Sequence, residues 1–275
     1  MIYEANGKTI NFEQPVIMAI VNLTPDSFYD GGKFDSVNDV LADVEEKVKA
    51  GAQIIDLGAA SSRPGSDEIS ENEEWERLEK PLSAVRKQFP ELIISTDTYR
   101  STIARKAADA GADIINDISG GQLDANMFET VKTLNLPYIL MHMQGTPKSM
   151  QLAPVYKEVV NDVKTEINSK ISDLTASGFH KIIIDPGFGF GKSLEQNYKL
   201  LKHLHVFAET GFPVLAGVSR KSMIHKVIHT NPVTSLNGTT VLHTIALING
   251  AKILRVHDVA EAKQVVDLVE FYKKA

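Results

Sequence analysis

Along this 275-residue chain, short apolar runs repeatedly stop on a residue able to do chemistry. The stops are Asn22, Asp56 with Gly58, Asp97, Asn116, Met141 with His142, Asp185, Ser219-Arg220-Lys221, and Arg255 with His257. Asp97, Asn116 and Asp185 offer acceptors, and the amide adds donors. That set suits the edge of a heterocycle with an amino group and ring N–H groups, because a buried carboxylate there satisfies costly polar atoms on both sides. Arg63, Arg255 and His257 instead offer forked or cationic donors, the chemistry of phosphate recognition. Asn22 supplies an oxygen suited to Mg2+, which commonly takes one or two protein ligands and leaves the rest to phosphates and water. Together these residues point to a flat, amino-bearing heterocycle attached to a phosphate or pyrophosphate.

Any one of these polar residues could instead cap the helix that follows it, since Asp, Asn and Ser satisfy free N–H groups there. Capping does not account for Lys221 or Arg255, because cations gain nothing at a helix start. No Ser-His-Asp spacing, H-E-x-x-H motif or His-rich cluster points to hydrolysis by a triad or zinc.

The elements that must position these residues follow a regular order. Asn6-Gly7 is a strong two-residue turn signal and predicts a short N-terminal hairpin. Strands are expected at 16–22, 54–57, 93–97, 114–116, 138–141, 182–185, 214–217 and 253–256, where apolar, β-branched runs read as buried parallel strands. Helices are expected at 37–50, 71–88, 101–110, 155–177, 194–204, 239–249 and 259–274. One phrase recurs at helix-to-strand junctions: "AGAQIID", "AGADIIND", "SGFHKIIID", "TGFPVLAG" and "NGAKILRVH". Each has a glycine suited to the left-handed position that ends a helix, followed by a strand. The repetition predicts one domain over residues 1–275, an α/β fold with an eight-stranded parallel βα (TIM) barrel. An open doubly wound sheet is the alternative. In a barrel, the strand-end residues above converge on a single face.

The long connections lie on that same face, at 23–36, 58–70 and roughly 142–154. Loops of this length in a compact barrel are usually functional. "SSRPGS" presents two hydroxyls and Arg63 on a chain stiffened by Pro64. "DPGFGFGK" superficially resembles a phosphate-cradling loop but lacks the spacing and ending of a Walker motif. Its glycines would let backbone approach a flat ligand while Phe188 or Phe190 covers it. Other residues have plainer readings. Trp75 is expected to pack, Asp56 to satisfy neighbours at the barrel mouth, and His142, His203, His205 and His225 to be ordinary polar positions. The acidic run "DEISENEEWE" reads as the solvated start of a helix.

Composition sets wider limits. Hydrophobic content of 43% supports a sizeable core, and a net charge of −6 makes no electrostatic case for nucleic acid or an anionic membrane. With no Cys, disulfides and thiolate chemistry are excluded. The N-terminus lacks the pattern of a signal peptide, and no apolar run is long enough to span a bilayer. The expected setting is cytoplasmic.

At its strand ends the sequence resembles the dihydropteroate synthase family. "NLTPDSFYDGG", "SSRPG", "DTYR", "INDISGG", "MHMQGTP", "DPGFGFGK", "GVSRKSMI" and "RVHDV" match that family's successive motifs in order, over essentially the whole chain. The resemblance implies an eight-stranded βα barrel, usually a homodimer. It implies a transferase that joins 4-aminobenzoate to 6-hydroxymethyl-7,8-dihydropterin diphosphate and releases pyrophosphate with Mg2+. Carried over by motif, it implies a pterin pocket of Asp97, Asn116, Met141, Asp185 and Lys221, lined by Phe190, with the Arg255 guanidinium against the ring. Asn22, Arg255 and His257 would hold the diphosphate and its metal. Ser62, Arg63, Pro64, Phe190 and Ser219 would surround the aminobenzoate, and Phe28 and Asp30 would fold in from a lid after Asn22. Asp30, Arg63, Lys221, Arg255 and His257 would then carry the catalysis. Two departures stand out: Ser62 where the family usually has Thr, and Leu23 where Val is common.

Overall fold

Asn6 and Gly7 both adopt left-handed backbone, with φ of 50° and 77°. They form the tight turn that the strand twist of a two-residue hairpin demands. The turn joins β1 (Ile2–Ala5) to β2 (Lys8–Asn11), in register from Ile2↔Asn11 to Ala5↔Lys8. This computed structural model describes residues 1–24, 36–60, 68–146 and 155–275.

After the hairpin, strands and helices alternate. The first half runs β3 (Val16–Asn22), α1 (Val37–Lys49), β4 (Ile54–Gly58), α2 (Glu71–Gln88), β5 (Ile93–Asp97), α3 (Ser101–Asp109), β6 (Ile114–Asp117) and α4 (Met127–Leu134). The second half runs β7 (Tyr138–Met141), α5 (Val159–Ala176), β8 (Ile182–Asp185), α6 (Leu194–Lys202), α7 (His205–Ala208), β9 (Leu215–Ala216), α8 (Ser222–Ile228), α9 (Leu236–Ile248), β10 (Ile253–Val256) and α10 (Val259–Lys274).

Eight parallel strands form one sheet in the order β8-β7-β6-β5-β4-β3-β10-β9. A bridge between Ile184 and Val214, with Ile184 N–H donating to Pro213 O at 2.8 Å, brings its two ends together as a barrel. The predicted strands hold, with β9 shorter than expected at its two ends. Three short helices, α4, α7 and α8, are not among those expected: at 8, 4 and 7 residues they show too few turns for a periodic pattern. Helix α5 begins four residues later than expected, and α9 three residues earlier.

Strand alternation divides the core into two. Ile17, Ala19, Ile55, Leu57, Ile94, Ile115, Leu140, Ile184 and Leu254 pack in the cluster shared with the helices. The opposite phase, Met18, Ile54, Ile93, Ile114, Ile139, Ile183, Leu215 and Ile253, fills the barrel interior with Tyr3, Ile10 and Phe12 of the hairpin. The hairpin therefore plugs one end. Tyr3 seals it further, its ring edge-on to Phe12 at 5.3 Å and its hydroxyl donating to Ile182 O at 2.7 Å. Because side chains repeat every two residues along a strand, the next inward positions are Asp56, Ser95, Asn116, Met141, Asp185 and Arg255. An apolar floor thus carries a polar layer directly above it.

Candidate active site

The helix caps come from other residues. Ser36 caps α1 and Ser193 caps α6, each closing a capping box, while Ser70 caps α2 by accepting from Glu73 N–H. Asn22, Asp56 and Asp185 are thus not needed to start the helices that follow them. Lys221 occupies the first cap position of α8 without any side-chain capping bond.

Asp56 is the centre of the polar layer. It is completely buried, and its Oδ2 accepts from Arg255 Nε at 2.7 Å and from Asn116 Nδ2 at 3.1 Å. Arg255 Nη2 also donates to Asp97 Oδ2 at 2.8 Å. The reading of Asp56 as a residue that satisfies neighbours at the barrel mouth holds, and those neighbours are two of the expected site residues. Its position gave the signal: it stands two residues beyond the floor residue Ile54, as Asn116 does beyond Ile114. Burial raises the Asp97 pKa, against the pull of the Arg255 guanidinium.

Asp185 and Lys221 form the second polar pair, on either side of Gly217. A Cβ at Gly217 would lie 3.7 Å from Lys221 Nζ and 4.0 Å from Asp185 Oδ2, so the absent side chain leaves both groups clear. Asp185 Oδ1 accepts from Gly187 N–H at 2.7 Å. Burial raises the Asp185 pKa, opposed first by Lys221. Burial likewise lowers Lys221 to about 8, opposed by Asp185. The Lys221 ammonium donates to Phe188 O and sits 4.8 Å from the centre of the Phe190 ring.

Beside these charges runs an apolar wall. Met141 packs with Ile118 and Met143, and Tyr99 and Phe190 lie against them half-buried. Phe188 is fully buried in the outer core, so of the two phenylalanines only Phe190 is placed to cover a ligand.

Ser219 and His257 face each other at the ends of neighbouring strands. Ser219 Oγ lies 3.1 Å from His257 Nδ1 and accepts from the His257 backbone N–H at 3.2 Å. Burial, and then Arg255, push the His257 pKa down to about 3. The expectation of a cationic His257 is therefore corrected: near neutral pH it offers a neutral imidazole. Asn22 ends β3 next to Asp97 across Gly58, where a Cβ would meet Asp97 Cβ at 3.5 Å and Asn22 Oδ1 at 3.9 Å. Among the described residues no group of three or more His, Asp or Glu side chains could hold a metal by itself.

Asp30, Ser62, Arg63 and Pro64, with Phe28, lie outside the described residues. The rest of the expected set, Asn22, Asp97, Asn116, Met141, Asp185, Phe190, Ser219, Lys221, Arg255 and His257, stands at the barrel's C-terminal mouth. Two plainer readings change. Glu74, in the acidic run read as solvated, is only 1% exposed; it pairs with Arg100 and accepts from Thr98 Oγ1 at 2.6 Å. His142 is buried, with Nε2 3.3 Å from Glu166 Oε2. Trp75 packs against the outer core as expected.

In chemical terms, carboxylate and amide acceptors beside a half-buried aromatic ring can read a flat ring with N–H groups, while Arg255 and Lys221 supply positive charge at its edge. Comparison with known proteins agrees. Residues 18–257 match the family model described as "Pterin binding enzyme". The chain is 45% identical over 258 residues to the dihydropteroate synthase of Haemophilus influenzae, covering 93% of each chain. It is 41% identical over 268 residues to that of Escherichia coli, covering 97% of this chain and 94% of the other. The dihydropteroate synthase of Yersinia pestis, solved with a sulfonamide drug complex, superposes with a TM-score of 0.96 at 38% identity over the full length of each chain. That of Xanthomonas albilineans, solved with 4-aminobenzoic acid, gives 0.92 at 35% identity, over 100% of this chain and 98% of the other.

Proposed function

The chain belongs to the dihydropteroate synthase family of pterin-binding enzymes and is a transferase, and we propose that it condenses 6-hydroxymethyl-7,8-dihydropterin diphosphate with 4-aminobenzoate by a dissociative substitution. One observation carries this reading: Asp97, Asn116 and Asp185 converge beside the Met141–Phe190 wall, with Arg255 and Lys221 among them. The acceptors take the ring's amino and N–H groups, and Phe190 lies along its face. Arg255, Ser219 and His257 reach toward the diphosphate side, with Asn22 offering an oxygen for Mg2+. When bound, that ion would neutralise charge on the leaving diphosphate.

An arylamine is a weak nucleophile, and no carboxylate in the described mouth is uncommitted enough to activate it: Asp56, Asp97 and Asp185 are each engaged. The pterin methylene, in contrast, can spread positive charge into an electron-rich ring. The CH2–O bond therefore breaks first, its electron pair leaving with pyrophosphate. Asp97 and Asp185 stabilise the cationic ring. The amine nitrogen then forms the C–N bond, and its proton passes to the released pyrophosphate.

Surface chemistry supports a homodimer. Val241, Ile245 and Ile248 on α9, and Leu268, Phe271 and Tyr272 on α10, expose apolar stripes on two helices that pack together. A second copy of the chain covers them, making a homodimer. No helix among the described residues is long and apolar enough to cross a membrane.

The test is direct. Protein, Mg2+, the pterin diphosphate and 4-aminobenzoate should release pyrophosphate and form dihydropteroate; no release overturns the reading. Bridging ¹⁸O in the substrate should scramble into non-bridging positions without amine. A secondary deuterium effect near unity on the methylene, together with no scrambling, would favour concerted displacement.

A further inference from the structure

Asp56 is not among the residues that the family motifs or the proposed chemistry assign to the site, yet it touches two that are. It has no solvent exposure, and its Oδ2 receives both Arg255 Nε and Asn116 Nδ2. A guanidinium has donors only, so this oxygen acts as an acceptor. The Asn116 atom 3.1 Å from that same oxygen must then be the amide nitrogen, because two oxygens would face each other as unpaired acceptors. The carboxamide oxygen is turned away from Asp56. Arg255 is fixed in the same way, with Nε committed to Asp56 and one terminal nitrogen to Asp97.

Resting on the pterin reading given above, we infer that Asp56 is a positioning and specificity-determining residue for ring recognition. By taking one N–H of the Asn116 NH2 group, it turns the carboxamide oxygen away from itself and toward the ligand as an acceptor. By taking Arg255 Nε, it sets the plane of the guanidinium. Where the ring meets that oxygen it must consequently present an N–H, and a ring with an acceptor at that atom leaves two acceptors facing. Sites built this way discriminate strongly, because the mismatched complex buries unpaired polar atoms. Strand register makes the arrangement possible: Asp97 and Asn116 are paired neighbours, and Asp56 lies two residues before Gly58, the partner of Asp97.

The experiment measures binding of 6-hydroxymethyl-7,8-dihydropterin by calorimetry and the two Michaelis constants. Asp56→Ala removes the acceptor and should weaken ring binding about ten- to hundred-fold, the equivalent of a lost charged hydrogen bond. The constant for 4-aminobenzoate should stay within about two-fold. Asp56→Asn keeps an acceptor oxygen and should recover most of the ring affinity, which a loss of packing alone does not explain. In an Asn116→Ala background, Asp56→Ala should cost clearly less than in wild type. Wild-type ring affinity in Asp56→Ala, or equal losses toward both substrates, would overturn the inference and leave the functional reading intact. A wild-type chain that does not bind the ring would overturn both.

A second measurement needs no variant and covers the case in which Asp56→Ala does not fold. In wild-type protein labelled with ¹⁵N at asparagine side chains, one of the two Asn116 NH2 hydrogens, the one on Asp56, should exchange slowly with solvent before ligand is added. The exchange of that hydrogen should remain as it was when the ring binds. If neither hydrogen is slowed until the ring binds, the NH2 group faces the ligand and not Asp56, and the inference falls.

Discussion

The Lys192 ammonium is held inside its own loop, donating to the Gly187 carbonyl at 2.8 Å. It also donates to Phe190 O at 3.0 Å and to His142 O at 3.3 Å, so one cation ties the loop after β8 to the end of β7. The lysine of "DPGFGFGK" is therefore directed at its own backbone. It shapes the loop that carries Asp185 and Phe190, and the superficial likeness to a phosphate loop ends there.

Replacing Lys192 with Met should destabilise the protein by about 1–3 kcal/mol near neutral pH, because buried carbonyls lose a donor. Relief from burying a charge offsets part of that cost. Burial pushes the Lys192 pKa down to about 7, opposed by Asp185 and reinforced by Lys221. Between about pH 7 and 10.5 the unfolded chain keeps a proton that the folded chain has released, so the Lys192 contribution to stability rises with pH across that window. Urea unfolding from pH 6.5 to 9.5 should show this rise in wild type and a flatter slope in Lys192→Met. A variant with the wild-type slope would remove Lys192 as its source.

Gly187→Ala should be more damaging than an ordinary loop substitution. Its φ is +72°, and an added Cβ would fall 1.9 Å from His142 O, a backbone atom that cannot move alone. The combined backbone and overlap cost is about 2–4 kcal/mol. Chemical denaturation should register it, and pterin binding should weaken because Gly187 N–H also supports Asp185. Stability within about 0.5 kcal/mol of wild type would contradict this packing.

Arg220 joins the β9 and β10 ends from behind the site. It donates to both oxygens of Asp258, at 2.8 and 2.6 Å, and to the carbonyls of Pro232 and Val233, while its own φ is +54°. Arg220→Ala removes the cation from a largely enclosed carboxylate, at a cost of up to about 3–5 kcal/mol. Denaturation of the folded variant measures it, and a loss below about 1 kcal/mol would show that the pair is replaceable.

Asp185→Asn tests the ring-binding layer itself. Pterin affinity should drop by about 1.5–3 kcal/mol, the range for hydrogen bonds to charged groups. The same change removes the main support for the Lys221 charge, whose pKa burial already lowers to about 8. The alkaline limit of pterin binding should then move to lower pH. Calorimetry that finds wild-type affinity and an unmoved limit would take Asp185 out of the recognition layer.

Much of this was legible in the chain alone. Hydrophobic runs fixed at two-residue phase, punctuated by helix-ending glycines, specify the βα repeat, and the repeat specifies which residues share the mouth. Asp97 and Asp185 could be named because each directly ends a strand. What only the tertiary structure decided is who meets whom across that mouth. Asp56 and Arg255 are 199 residues apart in sequence, and their contact depends on barrel closure and strand stagger. Local pattern carries no information about either. The same holds for Glu74, whose burial is set by Arg100 on a neighbouring unit, and for Lys192, whose partners are backbone carbonyls that no side-chain motif records. His257 belongs with them: its residue type suggests a cation, and only enclosure next to Arg255 makes it neutral. Periodicity is a property of neighbours along the chain, whereas protonation and pairing depend on the charges and solvent that folding brings around each group.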